Sequence, residues 1–167
     1  MRLLDAGLDR YHVRKPQWST AEYAALIEQI PADMHARLSI HQAYSLAEAY
    51  GVAIHLKAAS WHPSARSRSL HRLESLAQQL DGFEYAFLSP VFASISKQGY
   101  APQWPASQLR DVVTAPRNAR LYALGGISAA NAKQALECGF DGVVLHGSLW
   151  HAADPLRAFQ AVQKEAA

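Results

Sequence analysis

Short apolar runs alternate with stretches of helical periodicity along most of the chain, and this alternation constrains the fold more than any other feature of the sequence. Apolar residues between Tyr23 and Ile30 recur at i, i+3, i+4 and i+7, which is one face of a helix. The seven predicted strands cover residues 10–13, 38–41, 52–56, 66–69, 85–88, 121–124 and 142–145. Strands and helices that alternate in this way indicate an α/β fold with a parallel sheet and helical crossovers.

Residues that commonly begin or end helices mark the boundaries of these elements. Ser19 and Glu22 form the pattern of a capping box, and Pro31 ends the helix that they open. Gly51 is a C′ glycine at the end of the helix around residues 44–50. Further boundary residues are Pro105 at the first position of one helix, Ser128 and Gly139 at the two ends of another, and Asp154 with Pro155 at the start of the last. The pattern alone allows an open doubly wound sheet or a closed barrel, but no G-x-G-x-x-G dinucleotide-binding motif follows the first strand.

Composition limits the classes of protein to which the chain can belong. Its 167 residues, 50% of them hydrophobic, can bury the core of one domain covering residues 1–167. The net charge is only +2 and no basic block is interleaved with aromatics, so we expect no nucleic-acid partner. The single cysteine, Cys138, excludes an internal disulfide framework and suits a reducing compartment. No apolar run approaches the roughly 20 residues of a membrane span, so we expect a cytoplasmic protein without membrane contact.

Two glycine-containing corners follow the last two predicted strands. Gly125 and Gly126 come directly after one strand, and Gly147 and Ser148 follow the next. In (β/α)₈ barrels the loops after the seventh and eighth strands commonly form a phosphate site, because glycines let backbone N–H groups approach the phosphate oxygens. Glycines that serve only the turns are the alternative, and the two corners together favour phosphate binding.

A segment rich in hydroxyl groups follows the buried strand at residues 85–88. Ser94, Ser96 and Lys97 alternate along it, so two hydroxyls and an ammonium group could face one anion. Taken alone, an ordinary solvated loop explains this segment better than an anion site does.

Histidines near the ends of predicted strands are the candidates for proton transfer. His71 lies where a strand gives way to a helix, the catalytic end of a parallel α/β unit, and imidazole exchanges protons near neutral pH. A lone histidine is more often structural. His41, His55 and His146 end other strands without a spaced set of carboxylates or thiolates, so we predict no zinc or other metal site.

His12 and Arg14 lie on the same face of the first predicted strand. An arginine inside a barrel needs an anionic partner, because an unpaired buried charge is costly. Arg14 on the outer face, paired with a helix carboxylate, is an equally good interpretation.

Motifs in the order of one known family run along nearly the whole chain. They are His12-Val13-Arg14, Ser67-Arg68-Ser69-Leu70-His71, the segment 89–97, Leu124-Gly125-Gly126-Ile127 and the segment 139–144. The chain thereby resembles the thiamine phosphate synthase/TenI family, and Ser-Pro-Val-Phe-x-Ser-x-Ser-Lys is the most specific of these motifs. The resemblance implies a (β/α)₈ TIM barrel and an enzyme of thiamin (vitamin B1) biosynthesis.

The resemblance also implies roles for particular residues. In the family the synthase joins a pyrimidine pyrophosphate to a thiazole phosphate with the help of magnesium, whereas TenI aromatises a thiazole carboxylate phosphate by moving protons. By similarity, the pyrophosphate would be held by Ser69, Ser94, Ser96 and Lys97, and the thiazole phosphate by Gly125, Gly126, Gly147 and Ser148. His71 occupies the place of the TenI histidine, and His12, Arg14 and His41 would contact substrate.

The chain departs from the synthase pattern where the family binds magnesium. His41 and Gln42 replace an Asn-Asp pair, Ser60 replaces a second aspartate, and Pro16 replaces a lysine. Magnesium prefers carboxylate oxygens and water, so these replacements disfavour a magnesium-assisted reaction. Proton transfer by His71 needs no metal, which favours a tautomerase.

Two further departures concern the fold. Residues 1–7 resemble the end of a first helix, so the family's first strand and first helix would be missing and seven strands would remain. Residues 58–65 are fewer than the dozen or so that a helical crossover needs. The chain would then be truncated or would leave an open seam, where a second copy could pair to form a homo-oligomer.

We therefore expect a thiazole tautomerase of the TenI type with His71 as general acid and base, a small phosphorylated thiazole as substrate and no cofactor. A thiamine phosphate synthase that uses magnesium at an altered site is the first alternative. A non-catalytic binding protein for thiamin-pathway phosphates is the second.

Overall fold

The computed structural model describes residues 2–74, 76–93 and 104–166. Its seven parallel strands are β1 (Tyr11–Val13), β2 (Leu38–Ile40), β3 (Ala53–Leu56), β4 (Ala65–Leu70), β5 (Tyr85–Leu88), β6 (Arg120–Leu124) and β7 (Gly142–Val144). Its α-helices within these ranges are α1 (Arg2–Asp5), α2 (Thr20–Glu28), α3 (Leu46–Tyr50), α4 (Leu76–Leu80), α5 (Ala106–Val113), α6 (Ala132–Glu137), α7 (Gly147–Trp150) and α8 (Pro155–Ala166). Contacts divide the chain into two compact units, one that extends to Arg68 and one that begins at Ser69.

The first unit is built on parallel pairing of β1 with β2, β2 with β3, and β3 with β4. Its register places His12 opposite Ser39 and His55 opposite Ser67. The apolar face of α2, which includes the fully buried Tyr23, packs into a core whose other buried members are Leu4, Val13, Ile27, Leu38, Ile40 and Val52. This unit therefore has its own hydrophobic core.

Local sequence explains how α2 and α3 begin and end. The Ser19 Oγ accepts a hydrogen bond from the Glu22 N–H at 3.3 Å, and the Glu22 carboxylate accepts one from the Ser19 N–H at 2.8 Å. This reciprocal pair is the predicted capping box. Gly51 ends α3 in the left-handed conformation with φ 65°, as the sequence also predicted.

The second unit is built on parallel pairing of β5 with β6 and β6 with β7. Leu70, at the end of β4, accepts a hydrogen bond from the Ser89 N–H at 3.1 Å. Helices α4, α5, α6 and α8 contribute to one core, whose members include Leu80, Leu88, Val113, Leu121, Ala135 and Val162. This core fixes the end of β6 and of β7, from which the glycine corners leave.

The predicted helix boundaries need two corrections. Asn131, and not Ser128, is the residue before α6, because the Ser128 N–H donates to the Asn131 Oδ1 at 2.9 Å and the preceding residues form a turn. Pro105 precedes α5 as its N-cap residue instead of being its first residue. Asp154 caps α8 as predicted, its Oδ1 accepting from the Leu156 N–H at 2.9 Å.

Two elements were not predicted from the sequence. A 3-10 helix covers Ala32–Arg37, and the four-residue α7 begins at Gly147. Residues 57–64 form no helix between β3 and β4, so that link is short, as expected. In the part of the chain that the structure describes, no helix combines the length and the apolar character needed to cross a membrane.

Candidate functional site

The two glycine corners leave the same edge of the sheet in the second unit. Leu124 at the end of β6 is the register partner of Val144 at the end of β7. Gly125 and Gly126 follow the first directly, and Gly147 lies three residues beyond the second. Since neighbouring strands are about 4.8 Å apart, the corners emerge from adjacent positions on one rim.

The Gly125 corner packs against the beginning of the hydroxyl-rich segment. Gly125 and Gly126 have φ values of 96° and 68°. The Val91 N–H donates to the Leu124 carbonyl at 3.0 Å, and the Phe92 N–H donates to the Gly125 carbonyl at 3.1 Å. A Cβ at Gly126 would lie 2.8 Å from the Phe92 Cβ and would collide with the Ala93 carbonyl. This close approach of two backbones requires glycine whatever the loop binds.

Asn131 holds the Gly126 corner from the other side, a role that the sequence reasoning missed. Its Nδ2 donates to the Gly126 carbonyl at 2.9 Å, while its Oδ1 accepts from the Ser128 N–H. The side-chain amide thus ties two backbone groups of the loop together. The Ser-x-x-Asn spacing after the glycines was the available signal, since asparagine commonly bonds to nearby backbone.

Ser148 places a hydroxyl group at the second corner. Its Oγ is buried and has no hydrogen-bond partner within the described ranges. A buried hydroxyl without a partner costs roughly 1–3 kcal/mol. A bound anion that accepted a hydrogen bond from this hydroxyl would remove that cost, which is what the sequence-based assignment of Ser148 to phosphate requires.

His71 is exposed at the end of β4 and its ring is held in one orientation. Its Nδ1 lies 2.9 Å from the Ser89 carbonyl oxygen. Because a carbonyl can only accept, Nδ1 carries the hydrogen and Nε2 is the nitrogen left to take up a proton. Ser89 is followed by Pro90, whose Cα would lie 2.9 Å from a Cβ at Gly125. The histidine and the glycine corner therefore rest on the same short segment.

The other predicted anion ligands of this unit are Ser69, Ser94, Ser96 and Lys97. Ser69 lies near the end of β4 and is half-buried. Ser94, Ser96 and Lys97 lie outside the described residues. Their predicted roles stay predictions.

The first unit contains a cluster of three histidines that the sequence reasoning did not group. His12 Nδ1 lies 3.0 Å from His41 Nε2. The His41 and His55 rings stack with centroids 4.3 Å apart, and the His12 ring meets the His55 ring edge-on at 4.9 Å. His55 is fully buried, and its Nδ1 is 2.8 Å from the Ser67 Oγ. The prediction of no metal site considered only histidines with carboxylates or thiolates spaced nearby. It did not consider imidazoles that strand pairing brings together.

Burial keeps these imidazoles neutral. It lowers the pKa of His55 to about 2, with a smaller contribution from His41. It lowers the pKa of His41 to about 4, aided by the Arg14 charge. The pKa of His12 is also lowered well below its usual value, by burial and then by His55, His41 and Arg10. All three rings are uncharged near neutral pH.

Arg14 is exposed beyond the end of β1, and no carboxylate pairs with it in the described part of the chain. The Arg14 charge contributes to the lowered pKa of His41, and His41 lies beside His12. The three residues predicted to bind substrate, His12, Arg14 and His41, are therefore near one another in the first unit.

Two of the positions that depart from the synthase pattern contact each other. The Gln42 Nε2 donates to the Pro16 carbonyl at 3.3 Å, and the Gln42 Oε1 accepts from the Tyr23 hydroxyl at 3.3 Å. The Gln42 amide therefore connects Tyr23 of α2 to the Pro16 backbone through these two hydrogen bonds. With His41 and Ser60 at the other two positions, this set offers imidazole, amide and hydroxyl groups and no carboxylate, which does not fit magnesium.

Comparison with known proteins identifies the family. The sequence model of the TMP-TENI family, described as thiamine monophosphate synthase, matches residues 1–149. The chain belongs to this family. Thiamine-phosphate synthase of Streptococcus suis is 31% identical over 85 residues, and that of Albidiferax ferrireducens is 35% identical over 88 residues. These matches cover 51% and 52% of the chain but only 37% and 40% of the two relatives, about two fifths of their length.

Solved structures extend the likeness to the whole fold. Thiamine phosphate pyrophosphorylase from Bacteroides thetaiotaomicron has a TM-score of 0.81 and 27% identity, with 99% of this chain and 87% of that one covered. The Pyrococcus furiosus protein of the same name also has a TM-score of 0.81, at 20% identity, with 99% and 86% covered. With the seven parallel strands, these matches confirm the predicted α/β fold class, related to the (β/α)₈ barrel.

Proposed function

We propose that this member of the thiamine monophosphate synthase family binds a thiazole phosphate at its two glycine corners and joins it to a pyrimidine pyrophosphate. The observation that carries the proposal is the Ser148 hydroxyl, which is buried and has no hydrogen-bond partner among residues 2–74, 76–93 and 104–166, on a corner adjacent in the sheet to Gly125 and Gly126. The relatives named above are thiamine-phosphate synthases, which supports this reaction over the tautomerase that the sequence alone favoured.

Phosphate fits this rim for a specific chemical reason. A phosphate monoester presents several acceptor oxygens and no fixed donor, so its partners must be N–H and O–H groups. Ser148 supplies a hydroxyl, and the glycine backbone lets the loop approach the oxygens without Cβ atoms in the way. The Asn131 amide occupies the Gly126 carbonyl, so that this acceptor does not face the anion unpaired.

His71 supports a thiazole tautomerase as the second candidate. Tautomerisation moves a proton from one atom of the substrate to another, so a single group that takes up and returns a proton completes the reaction without net change. With Nδ1–H bonded to the Ser89 carbonyl, Nε2 of His71 is the nitrogen that can do both. This candidate also needs no metal, in keeping with the lack of carboxylates at the positions where the synthases of the family have them.

The two candidate reactions differ in their need for magnesium, which the synthases of the family use and a tautomerase does not. In a family synthase magnesium would help the pyrophosphate to leave, but the residues at the expected positions do not fit that ion. We therefore assign no step of this chain to magnesium. In this proposal the chain's own residues hold the phosphate at the glycine corners and position His71 beside the Gly125 corner.

Turnover of both substrate sets tests the proposal directly. The purified chain is given pyrimidine pyrophosphate with thiazole phosphate, and separately the thiazole carboxylate tautomer, each with and without magnesium and with excess chelator. The proposed synthase releases pyrophosphate and forms thiamine phosphate. Conversion of the carboxylate tautomer alone, unaffected by chelator, would establish the tautomerase instead. Phosphate-dependent binding with no turnover of either set would leave the non-catalytic binding protein.

His71→Ala assigns the proton-transfer role, with His151→Ala as control because His151 is exposed on the loop after α7. For tautomerase turnover we expect His71→Ala to lower kcat by about 10²–10⁴-fold with ligand binding retained, and His151→Ala to have no effect. Unchanged tautomerase turnover in His71→Ala would remove His71 from the mechanism.

A further inference from the structure

The histidine cluster of the first unit has the donor geometry of a metal site. One ring nitrogen from each of His12, His41 and His55 lies within 4.8 Å of the other two. Zn²⁺–N bonds are about 2.0–2.1 Å, so two nitrogens bound to one tetrahedral ion lie roughly 3.4 Å apart. The observed 3.0 Å between His12 Nδ1 and His41 Nε2 is already close to that separation. Small ring rotations would close the set around one ion.

We propose that His12, His41 and His55 form a binding site for a divalent transition-metal ion, with Zn²⁺ as the best match. The site does not depend on the proposed function, because none of its ligands belongs to the unit that contains the glycine corners.

The strands hold the three ligands in place before any ion binds. His12 lies in β1, His41 follows β2 directly and His55 lies in β3, three neighbouring parallel strands. The His41 N–H donates to the Val13 carbonyl at 3.1 Å, which fixes the backbone at the end of β2. Ligands carried on rigid, paired strands lose little conformational freedom on binding, and this favours affinity.

Ser67 supplies the outer contact that metal-bound histidines commonly have. Its Oγ lies 2.8 Å from Nδ1 of His55, and both residues are fully buried. With the hydrogen on Nδ1 directed to the hydroxyl, Nε2 of His55 is left to bind the ion. The parallel register places Ser67 opposite His55, so this contact follows from strand pairing.

The donor set selects the class of ion. Three neutral nitrogens with no carboxylate among them suit Zn²⁺ and other late first-row ions and disfavour Mg²⁺ and Ca²⁺, which require oxygen ligands. Three protein ligands leave a fourth position, as in catalytic zinc sites. The positive charges of Arg10 and Arg14 near His12 and His41 favour an anion or hydroxide there.

Metal binding is measured on untagged protein that has been stripped with a chelator and dialysed, and elemental analysis is done after Zn²⁺ has been added back and the excess removed by dialysis. We expect one Zn²⁺ per chain by elemental analysis, a rise in Tm with Zn²⁺ but not with Mg²⁺, and visible absorption of four-coordinate Co²⁺ when that ion is added alone. Absence of stoichiometric Zn²⁺ and of the Co²⁺ spectrum in folded wild-type protein would overturn the proposal without any variant.

Variants assign the ligands. His41→Ala should lower Zn²⁺ affinity by more than about 100-fold, and Ser67→Ala by about 10-fold or more. His62→Ala is the matched control, because His62 lies in the same unit but outside the cluster, and it should bind as wild type does. Wild-type affinity in His41→Ala would contradict the assignment. If His41→Ala does not fold, the milder Ser67→Ala and the Co²⁺ spectrum of the wild type carry the test.

Discussion

At the residue scale, the chemistry of the candidate site depends on two side chains whose state cannot be read from the sequence. Strand ends and glycine pairs predicted where His71 and Ser148 would lie. The sequence could not show that the Ser89 carbonyl fixes the His71 ring, because that contact joins residues 18 positions apart. It also could not show that the Ser148 hydroxyl is buried without a partner among the described residues.

Gly126 gives the prediction that belongs to this scale. Gly126→Ala should destabilise the chain more than Gly82→Ala, because both glycines have positive φ but only Gly126 is crowded by backbone. We expect about 1–2 kcal/mol for Gly82→Ala from the backbone conformation alone, and a further ~1–3 kcal/mol for Gly126→Ala from the collision. Urea denaturation measures both. Equal losses would mean that the loop after β5 moves away without cost.

At the element scale, all seven strands were predicted. Most are short apolar runs bounded by turn residues, whereas β4 contains two arginines and two serines. Helix starts were predicted well where one side chain caps one helix, as Ser19 does for α2. The start of α6 was misplaced because the Asn131 amide bonds to the Ser128 N–H and forms a turn first. Competition between two polar side chains for the same backbone groups is decided by geometry that the sequence does not carry.

Asp141, the residue before β7, bonds to β6 through its side chain and gives the prediction at this scale. Its Oδ2 accepts from the Leu121 N–H at 2.7 Å and from Arg117 at 2.6 Å. Partial burial raises the pKa of Asp141, but these hydrogen bonds and the Arg117 charge outweigh it and lower the pKa below its usual value.

Because its folded-state pKa is lowered, Asp141 stabilises the fold at neutral pH and loses that effect as the pH falls through the folded pKa. We expect Asp141→Asn to cost about 1–3 kcal/mol at pH 7, and its difference from wild type to shrink toward pH 3. Denaturation at both pH values tests this. A constant difference would show that the carboxylate charge is not involved.

At the scale of the whole molecule, parallel pairing brings together residues that are far apart in the chain. His12, His41 and His55 are separated by 29 and 14 positions, and no local spacing marks them as a set. The glycine corners are 22 residues apart and were predicted together only because both follow consecutive strands. A site at one edge of a sheet can be inferred from sequence when each of its residues follows the end of a strand, as the glycine pairs do. The three histidines do not share one such position, because His12 lies within β1 and His41 follows β2.

The affinity of the chain for thiazole phosphate, measured by titration calorimetry, tests the central claim most directly. Wild type and Ser64→Ala, an exposed serine in the first unit, should bind equally well. Ser148→Ala should bind about 10–150-fold more weakly, the value of one hydrogen bond to a charged group, and the unphosphorylated thiazole alcohol should bind weakly to all three. Equal affinity in Ser148→Ala, or equal affinity for the alcohol and its phosphate, would contradict phosphate binding at these corners.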